Sequence, residues 1–254
     1  MPIAANHYFH YHSSQEKIGL PIVLIHGAGG DHLAWPAELR RLKNHRVHAL
    51  DLPGHGKSAG CSLQSIAAYA KDVQDWLDAV NLPKAVFIGH SMGAAIAMTI
   101  ALEYPDSALG LGLVGGAARL RVASELLHEA SSVTTYHRAI EMLMRWSFSP
   151  LSSERIKELA AKRLAETRQS VLYSDLIACN DFDITANLSS IHVPTLIICG
   201  ADDKMTPVKH SQYINSQING ASLHVIDDAG HMVMLEKPVE VARIISTFLL
   251  SLKP

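Results

Sequence analysis

The sequence predicts an α/β chain: a mostly parallel, twisted sheet with helices on both faces and one helical segment that interrupts the alternation. Three observations carry this expectation. Short aliphatic or β-branched runs recur at Ile22–Ile25, Val47–Leu50, Ala85–Ile88, Leu109–Val114, Thr195–Cys199 and Leu223–Ile226, and continuous apolar strands of this length suit a sheet buried on both faces. Between them lie stretches with apolar residues three or four apart, which is helical spacing. The alternation lapses between about Ala117 and Ala186, where no convincing strand appears and Glu, Arg, Ala and Leu dominate. The expected organisation is a core of residues 1–116 and 187–254 with a helical lid over 117–186.

Taken in order, Tyr8, Phe9 and Tyr11 precede the polar Ser13-Ser14-Gln15-Glu16. This reads as a strand leading by a turn into the next, an antiparallel hairpin at one sheet edge. Ile66, Tyr69, Ala70, Val73, Leu77 and Val80 mark the clearest helical stripe. Pro238 fits the first turn of a last helix that ends near Leu252.

The bulk properties exclude several classes. A chain of 254 residues, 48% hydrophobic and 18% charged, is that of an ordinary globular protein. The formal net charge of -2 and the scattered Lys and Arg leave no basic surplus for nucleic acid. No apolar run reaches the roughly 18 residues of a membrane span, and the start of the chain lacks a basic segment followed by an apolar one. The expected location is cytoplasmic. Cys61, Cys179 and Cys199 are far apart without C-x-x-C spacing, so they read as reduced thiols, Cys199 as a core residue. Among fifteen histidines, the neighbours His10 and His12 and the pair His45 and His48 invite a metal reading. No H-E-x-x-H or comparable ligand spacing supports one, and neither a metal nor a cofactor is expected.

The chemistry is concentrated at strand ends. Ala85–Ile88 runs into Gly89-His90-Ser91-Met92-Gly93 and then into the helix former Ala94–Met98. A serine on so sharp a strand-to-helix turn is a nucleophile in the making, and the flanking glycines let strand and helix approach. Ile22–Ile25 ends in His26-Gly27-Ala28-Gly29-Gly30. Glycine-rich turns leave backbone N–H groups free to meet a tetrahedral oxyanion, and the two natural donors are those of Ala28 and Met92. A phosphate-cradling loop is the alternative, but no G-K-[ST] follows. Thr195–Cys199 ends in Gly200-Ala201-Asp202-Asp203, and Leu223–Ile226 ends in Asp227-Asp228-Ala229-Gly230-His231. Ser91, an aspartate and His231 supply a nucleophile, an orienting acid and a general base. The residues alone leave Asp202 and Asp203 both open as the acid.

These blocks, together with Asp51-Leu52-Pro53-Gly54-His55-Gly56-Lys57-Ser58 and with Glu236 and Pro238 after His231, resemble the α/β-hydrolase superfamily over nearly the whole chain. The order Ser, Asp, His is the one found there. The resemblance implies that the acid is Asp203, three residues after Gly200 and four before Pro207, and that the Asp51–Ser58 block is a structural turn. It points to the lid-bearing subgroup of carboxylesterases, enol-lactone hydrolases and carbon–carbon bond hydrolases. Dehalogenases and epoxide hydrolases of this fold carry aspartate at the turn, whereas this chain has Ser91. The carbon–carbon hydrolases usually have Asn before the serine and Trp after the histidine, where this chain has His90 and Met232.

The expected activity is hydrolysis of a carboxylic ester or lactone of a small apolar molecule through an acyl-Ser91 intermediate. A carbon–carbon bond hydrolase of ring-cleavage products is the alternative, with a ligand receptor or a lyase on the same fold behind it. Within the expected lid, Met142, Met144, Trp146 and Phe148 fall in one short stretch. Each alone reads as core, but together they read as a substrate pocket wall, since methionine adapts to shape and aromatics supply apolar area. Nine Lys or Arg against nine Asp or Glu between Ala117 and Asp183 give no net attraction for an anion. Uncharged acyl groups are therefore expected to be preferred.

Overall fold

The computed structural model describes residues 3–13 and 19–252. Eight strands form one sheet: β1 (Ile3–Ala4), β2 (His7–Ser13), β3 (Pro21–Ile25), β4 (Arg46–Leu50), β5 (Ala85–His90), β6 (Ala108–Val114), β7 (Thr195–Gly200) and β8 (Ser222–Ile226). Their spatial order is β1-β2-β4-β3-β5-β6-β7-β8, with β1 and β2 antiparallel to their neighbours and the rest parallel. The expected edge hairpin is present in a different form. β2 pairs back onto β1 and lies beside β4 in the register Phe9↔Leu50 and Tyr11↔His48, so the strand that follows it, β3, is not its partner. The turn expected at Ser13–Glu16 falls, from Ser14 on, outside the described residues.

The helices are α1 (Ala37–Arg40), α2 (Ile66–Ala79), α3 (Met92–Glu103), α4 (Ser124–Ala130), α5 (Tyr136–Ser147), α6 (Glu154–Glu166), α7 (Gln169–Asn180), α8 (Val208–Gln217), α9 (Val233–Glu236) and α10 (Pro238–Ser251). Successive strand residues point to opposite faces, and two apolar layers result. Val23, Ile25, Phe87 and Leu113 pack with α2 and α3 on one face. Ile22, Leu24, Ile88 and Ile198 pack with α1, α9 and α10 on the other. This double burial is why the strands read as unbroken apolar runs. β8, an edge strand, departs from this and leaves His224 and Val225 exposed, as β1 and the end of β2 at the other edge leave Ile3 and Tyr11.

Helix α2 starts where Ser65 accepts a hydrogen bond from the Ala68 N–H. Its predicted stripe is buried and extends to Trp76, while Val80 only caps the end. Pro238 opens α10 as expected. Every residue of α3 from Met92 to Ala101 is buried, because this helix is wedged between the sheet and α2. Between β6 and β7 lie α4 to α7, with a core of their own built from Leu126, Ala130, Ala139, Met142, Leu143, Leu172 and Leu176. No described helix is long and apolar enough to cross a membrane.

Candidate active site

The strand C-termini of β3, β5, β7 and β8 deliver Gly27–Gly30, Ser91, Asp203 and His231 to one end of the sheet, the end where open α/β sheets place ligands. Ser91 has φ 53° and ψ -113°, a conformation that costs a non-glycine residue about 1–3 kcal/mol. The turn is held by the Ser91 N–H donating to the Val114 carbonyl at 2.9 Å. The flanking glycines have the steric role expected of them. A Cβ on Gly89 would sit 2.0 Å from the Gly93 oxygen, and one on Gly93 would sit 2.1 Å from the Ile25 oxygen.

His231 is buried, and its Nδ1 lies 2.8 Å from Asp203 Oδ2. The Nδ1 therefore carries the proton, and Nε2 is left with a lone pair; it is buried without a hydrogen-bond partner. Asp203 Oδ1 accepts from the N–H groups of Met205 and Thr206 at 2.9 and 2.8 Å. Burial pushes the Asp203 carboxyl up, but the charge and hydrogen bond of His231 and the bonds from Thr206 hold it below its ordinary range. The neighbouring Asp202 is engaged elsewhere, accepting from the Ser149 hydroxyl at 2.6 Å. Of the two aspartates left open by the residues, the geometry brings Asp203 to the histidine.

Two further residues shape this corner, Thr206, which was given no role from the sequence, and Glu236, which was noted there only as part of the resemblance. The Thr206 hydroxyl lies 2.9 Å from Asp203 Oδ2 and 3.2 Å from His231 Nδ1. Glu236 accepts from the N–H groups of Gly230 and Ser149 at 2.8 and 2.9 Å, tying the histidine loop to the end of α5. The His90 ring lies tilted against the His231 ring, centroids 4.8 Å apart, and its Nε2 donates to the His231 carbonyl oxygen at 3.0 Å. Burial, then the neighbouring His231, push the His90 pKa down to about 3, so His90 is neutral.

Ser91, His231 and Ala28 open into one cavity of about 810 Å³, lined both by the sheet end and by α4–α7. Met92 is buried at the first turn of α3, where a helix leaves its leading N–H groups without intrahelical acceptors. Of the four residues expected to form the wall, Met144 and Trp146 line the cavity. Met142 and Phe148 do not. Met142 points into the core shared by α4, α5 and α7, and Phe148 is buried where α5 ends against Gly230. The wall is completed by Leu143 of the same stretch and by aliphatic residues the sequence did not mark, among them Ile156, Leu159 and Leu164. The even charge count over residues 117–183 also fails to describe the cavity. Arg119, Arg121, Arg163 and Lys204 line it with one carboxylate, Asp31. Of these cations Arg119 is paired, 3.1 Å from Asp183.

Asp51 and His55 belong to a buried turn. Asp51 accepts from the His32 N–H, His32 Nδ1 and the Lys57 N–H at 2.7, 2.8 and 2.9 Å. Asp31, His32 and Asp51 bring potential metal-binding atoms within 4.8 Å of one another, but Asp51 spends its lone pairs on these donors, and Asp31 Oδ1 accepts from the Leu33 N–H. Of the histidines that suggested a metal, two have other contacts. His48 packs between aromatic rings, with burial pushing its pKa down to about 4, and His45 meets the Leu20 carbonyl at 3.2 Å.

The fold agrees with comparison to known proteins. The model of the alpha/beta hydrolase family matches residues 22–244, and the chain belongs to that family. Among individual proteins it is similar to the (E)-2-((N-methylformamido)methylene)succinate hydrolase of Acinetobacter baylyi, 28% identical with 98% of this chain and 97% of the relative covered. It is also similar to 3-oxoadipate enol-lactonase 1 of the same organism, 28% identical over 91% of this chain and 89% of the relative. The solved structure of a thermophilic esterase superposes with a TM-score of 0.81 at 31% identity, covering 96% of this chain and 98% of that one. The relatives are hydrolases, and this chain is a hydrolase of the same family.

Proposed function

We propose that the protein is a serine hydrolase that cleaves a carboxylic ester or lactone of a small, largely apolar molecule through an acyl-Ser91 intermediate. The observation that carries this reading is the state of His231: Nδ1 bound to Asp203 at 2.8 Å and Nε2 buried without a partner beside the cavity that Ser91 lines. Nε2 takes the Ser91 proton as the hydroxyl attacks the acyl carbon, and returns it to the leaving oxygen. Asp203 keeps the ring in the reactive tautomer and stabilises the imidazolium that forms. The N–H groups of Ala28 and Met92 receive the negative charge of the tetrahedral oxygen, aided by the N-terminal end of α3. Water then repeats the sequence on the acyl-enzyme. Residues 117–186, with α4–α7, act as a lid whose Met144 and Trp146 bear on the acyl group.

The test is a graded series of p-nitrophenyl esters together with fluorophosphonate labelling. Ser91 is the expected site of label, and Ser91→Ala is expected to lose nearly all turnover. Label on another residue, or activity surviving in Ser91→Ala, rejects the reading. A carbon–carbon bond hydrolase is the second reading, and the observation favouring it is the basic lining of the cavity, because ring-cleavage products carry carboxylates. Turnover of a dienol ketone acid without turnover of esters would select it.

A further inference from the structure

Gly29, the residue after Ala28, has both of its backbone groups held by side chains from far along the chain. Its N–H donates to Asp175 Oδ2 at 2.8 Å, and its carbonyl accepts from the Thr167 hydroxyl at 2.7 Å. Thr167 sits at the corner where α6 gives way to α7, and Asp175 lies midway along α7. The loop is pressed against that corner. Gly29 has φ +67°, and a Cβ there would come within 2.8 Å of Leu164 and 2.9 Å of Leu172.

Asp175 is fully buried. Besides Gly29 it accepts from His55 Nε2 at 2.7 Å and from the Tyr69 hydroxyl at 2.6 Å. His55 Nδ1 faces the Pro53 carbonyl at 3.0 Å, so both ring nitrogens meet acceptors and both carry protons. The carboxylate therefore collects donors from the glycine loop, from the turn after β4 and from α2. A buried charge is costly unless it is paired and fully bonded, and none of the steps assigned to Ser91, His231 and Asp203 uses this one.

Resting on the serine-hydrolase reading, we propose that Asp175 and Thr167 are positioning residues: they fix the Gly29 peptide groups and through them aim the Ala28 N–H at the oxyanion. The two oxyanion donors then have separate supports. Met92 rides on α3, rigidly packed in the core, whereas Ala28 takes its place from the α6–α7 corner and from α7. Since the oxyanion exists only along the reaction path, misplacing Ala28 lowers kcat and leaves KM nearly unchanged.

The experiment compares Thr167→Val, Thr167→Ser and Asp175→Asn with wild type on p-nitrophenyl butyrate, after thermal melts confirm folding. Losing one oxyanion donor outright costs about 10²–10³ in kcat, and displacement is expected to cost less. The expected result is a fall in kcat of about 10-fold in Thr167→Val and of up to about 100-fold in Asp175→Asn, with KM within about twofold, and recovery in Thr167→Ser. If Asp175→Asn does not fold, the Thr167 pair decides, because that side chain is only half-buried and the valine is isosteric. Unchanged kcat in Thr167→Val, a change confined to KM, or an equal loss in Thr167→Ser overturns the positioning role. Wild-type protein that hydrolyses no ester and leaves Ser91 unlabelled overturns the serine-hydrolase reading and this role with it.

Discussion

His231 and His55 each meet a buried aspartate at nearly the same distance, 2.8 Å to Asp203 and 2.7 Å to Asp175, but their second nitrogens differ. His231 Nε2 has no partner, while His55 Nδ1 meets the Pro53 carbonyl at 3.0 Å. The first ring keeps a lone pair with which to accept a proton. The second has none to offer and serves as a fixed cation bridging the turn to α7. A histidine–aspartate contact is thus no mark of a base by itself; the environment of the other nitrogen decides. The environments also set the charges. Burial alone would lower the pKa of His55, yet the charge and hydrogen bond of Asp175 raise it above its ordinary 6.5.

The largest expected effect tests the first pair. Asp203→Asn should reduce kcat about 10³- to 10⁴-fold, since the amide favours the wrong imidazole tautomer, while Asp202→Asn should stay close to wild type in steady-state assays. The reverse ranking would move the orienting role to Asp202 and dissolve the comparison.

The second pair is expected to answer in stability. His55→Asn should cost about 3–5 kcal/mol in urea unfolding, because it leaves a buried carboxylate short of its cation. The pH dependence has opposite signs at the two sites. With its folded pKa raised, His55 contributes stability that is complete below about 6.5 and is lost as pH climbs through the raised value. Asp175, Asp51, His26 and Tyr69 all face it; the two aspartates raise its pKa, and His26 is neutral, its own pKa pushed down to about 4 by burial and by His55. With its folded pKa lowered, Asp203 contributes stability present above about 3.8 and lost as pH falls through the lowered value. Melting curves across the acid and alkaline ranges should therefore flatten on the alkaline side in His55→Asn and on the acid side in Asp203→Asn. Identical curves for the two variants would show that the pairs do not differ in this way.

The smallest effects concern the cavity wall. Each methylene added to the acyl chain should gain about 0.8 kcal/mol in kcat/KM until the space is full. Trp146→Ala and Met144→Ala should change that limit, whereas Met142→Ala and Phe148→Ala should alter stability but not the profile. A shift in the profile with Met142→Ala would mean that its place in the α4–α7 core does not describe its role.

Much of this was legible because the signals are local. The G-x-S-x-G turn, the glycine loop and the aspartate and histidine blocks each follow an apolar strand, and a strand end in a parallel sheet fixes where its loop emerges. Asp175 was not legible, because its three partners lie 106 to 146 residues away. The available hint was a lone acid flanked by Val171, Leu172, Leu176 and Ile177, a run too apolar for a solvated helix face. Thr206 and Thr167 act through hydroxyls that no spacing distinguishes from those of surface threonines. The wall was half legible: counting apolar residues identified the helix α5, but only its packing separates the side that faces the cavity from the side that faces α4 and α7. The basic lining escaped a count over the whole segment because a cavity samples only the few charges that face it. β2 differed from expectation in its partners, β1 and β4 rather than β3, and β8 in its burial, because neither pairing order nor an edge position is written in a strand's own composition.

The backbone at Ser91, with φ 53°, sets selection for stability against selection for turnover at a single codon. A glycine there would relax the turn and would be expected to melt later than wild type, yet it would lack the hydroxyl. A lineage released from the need for the reaction could therefore drift first at this position, ending as a sturdier, silent protein with the same architecture.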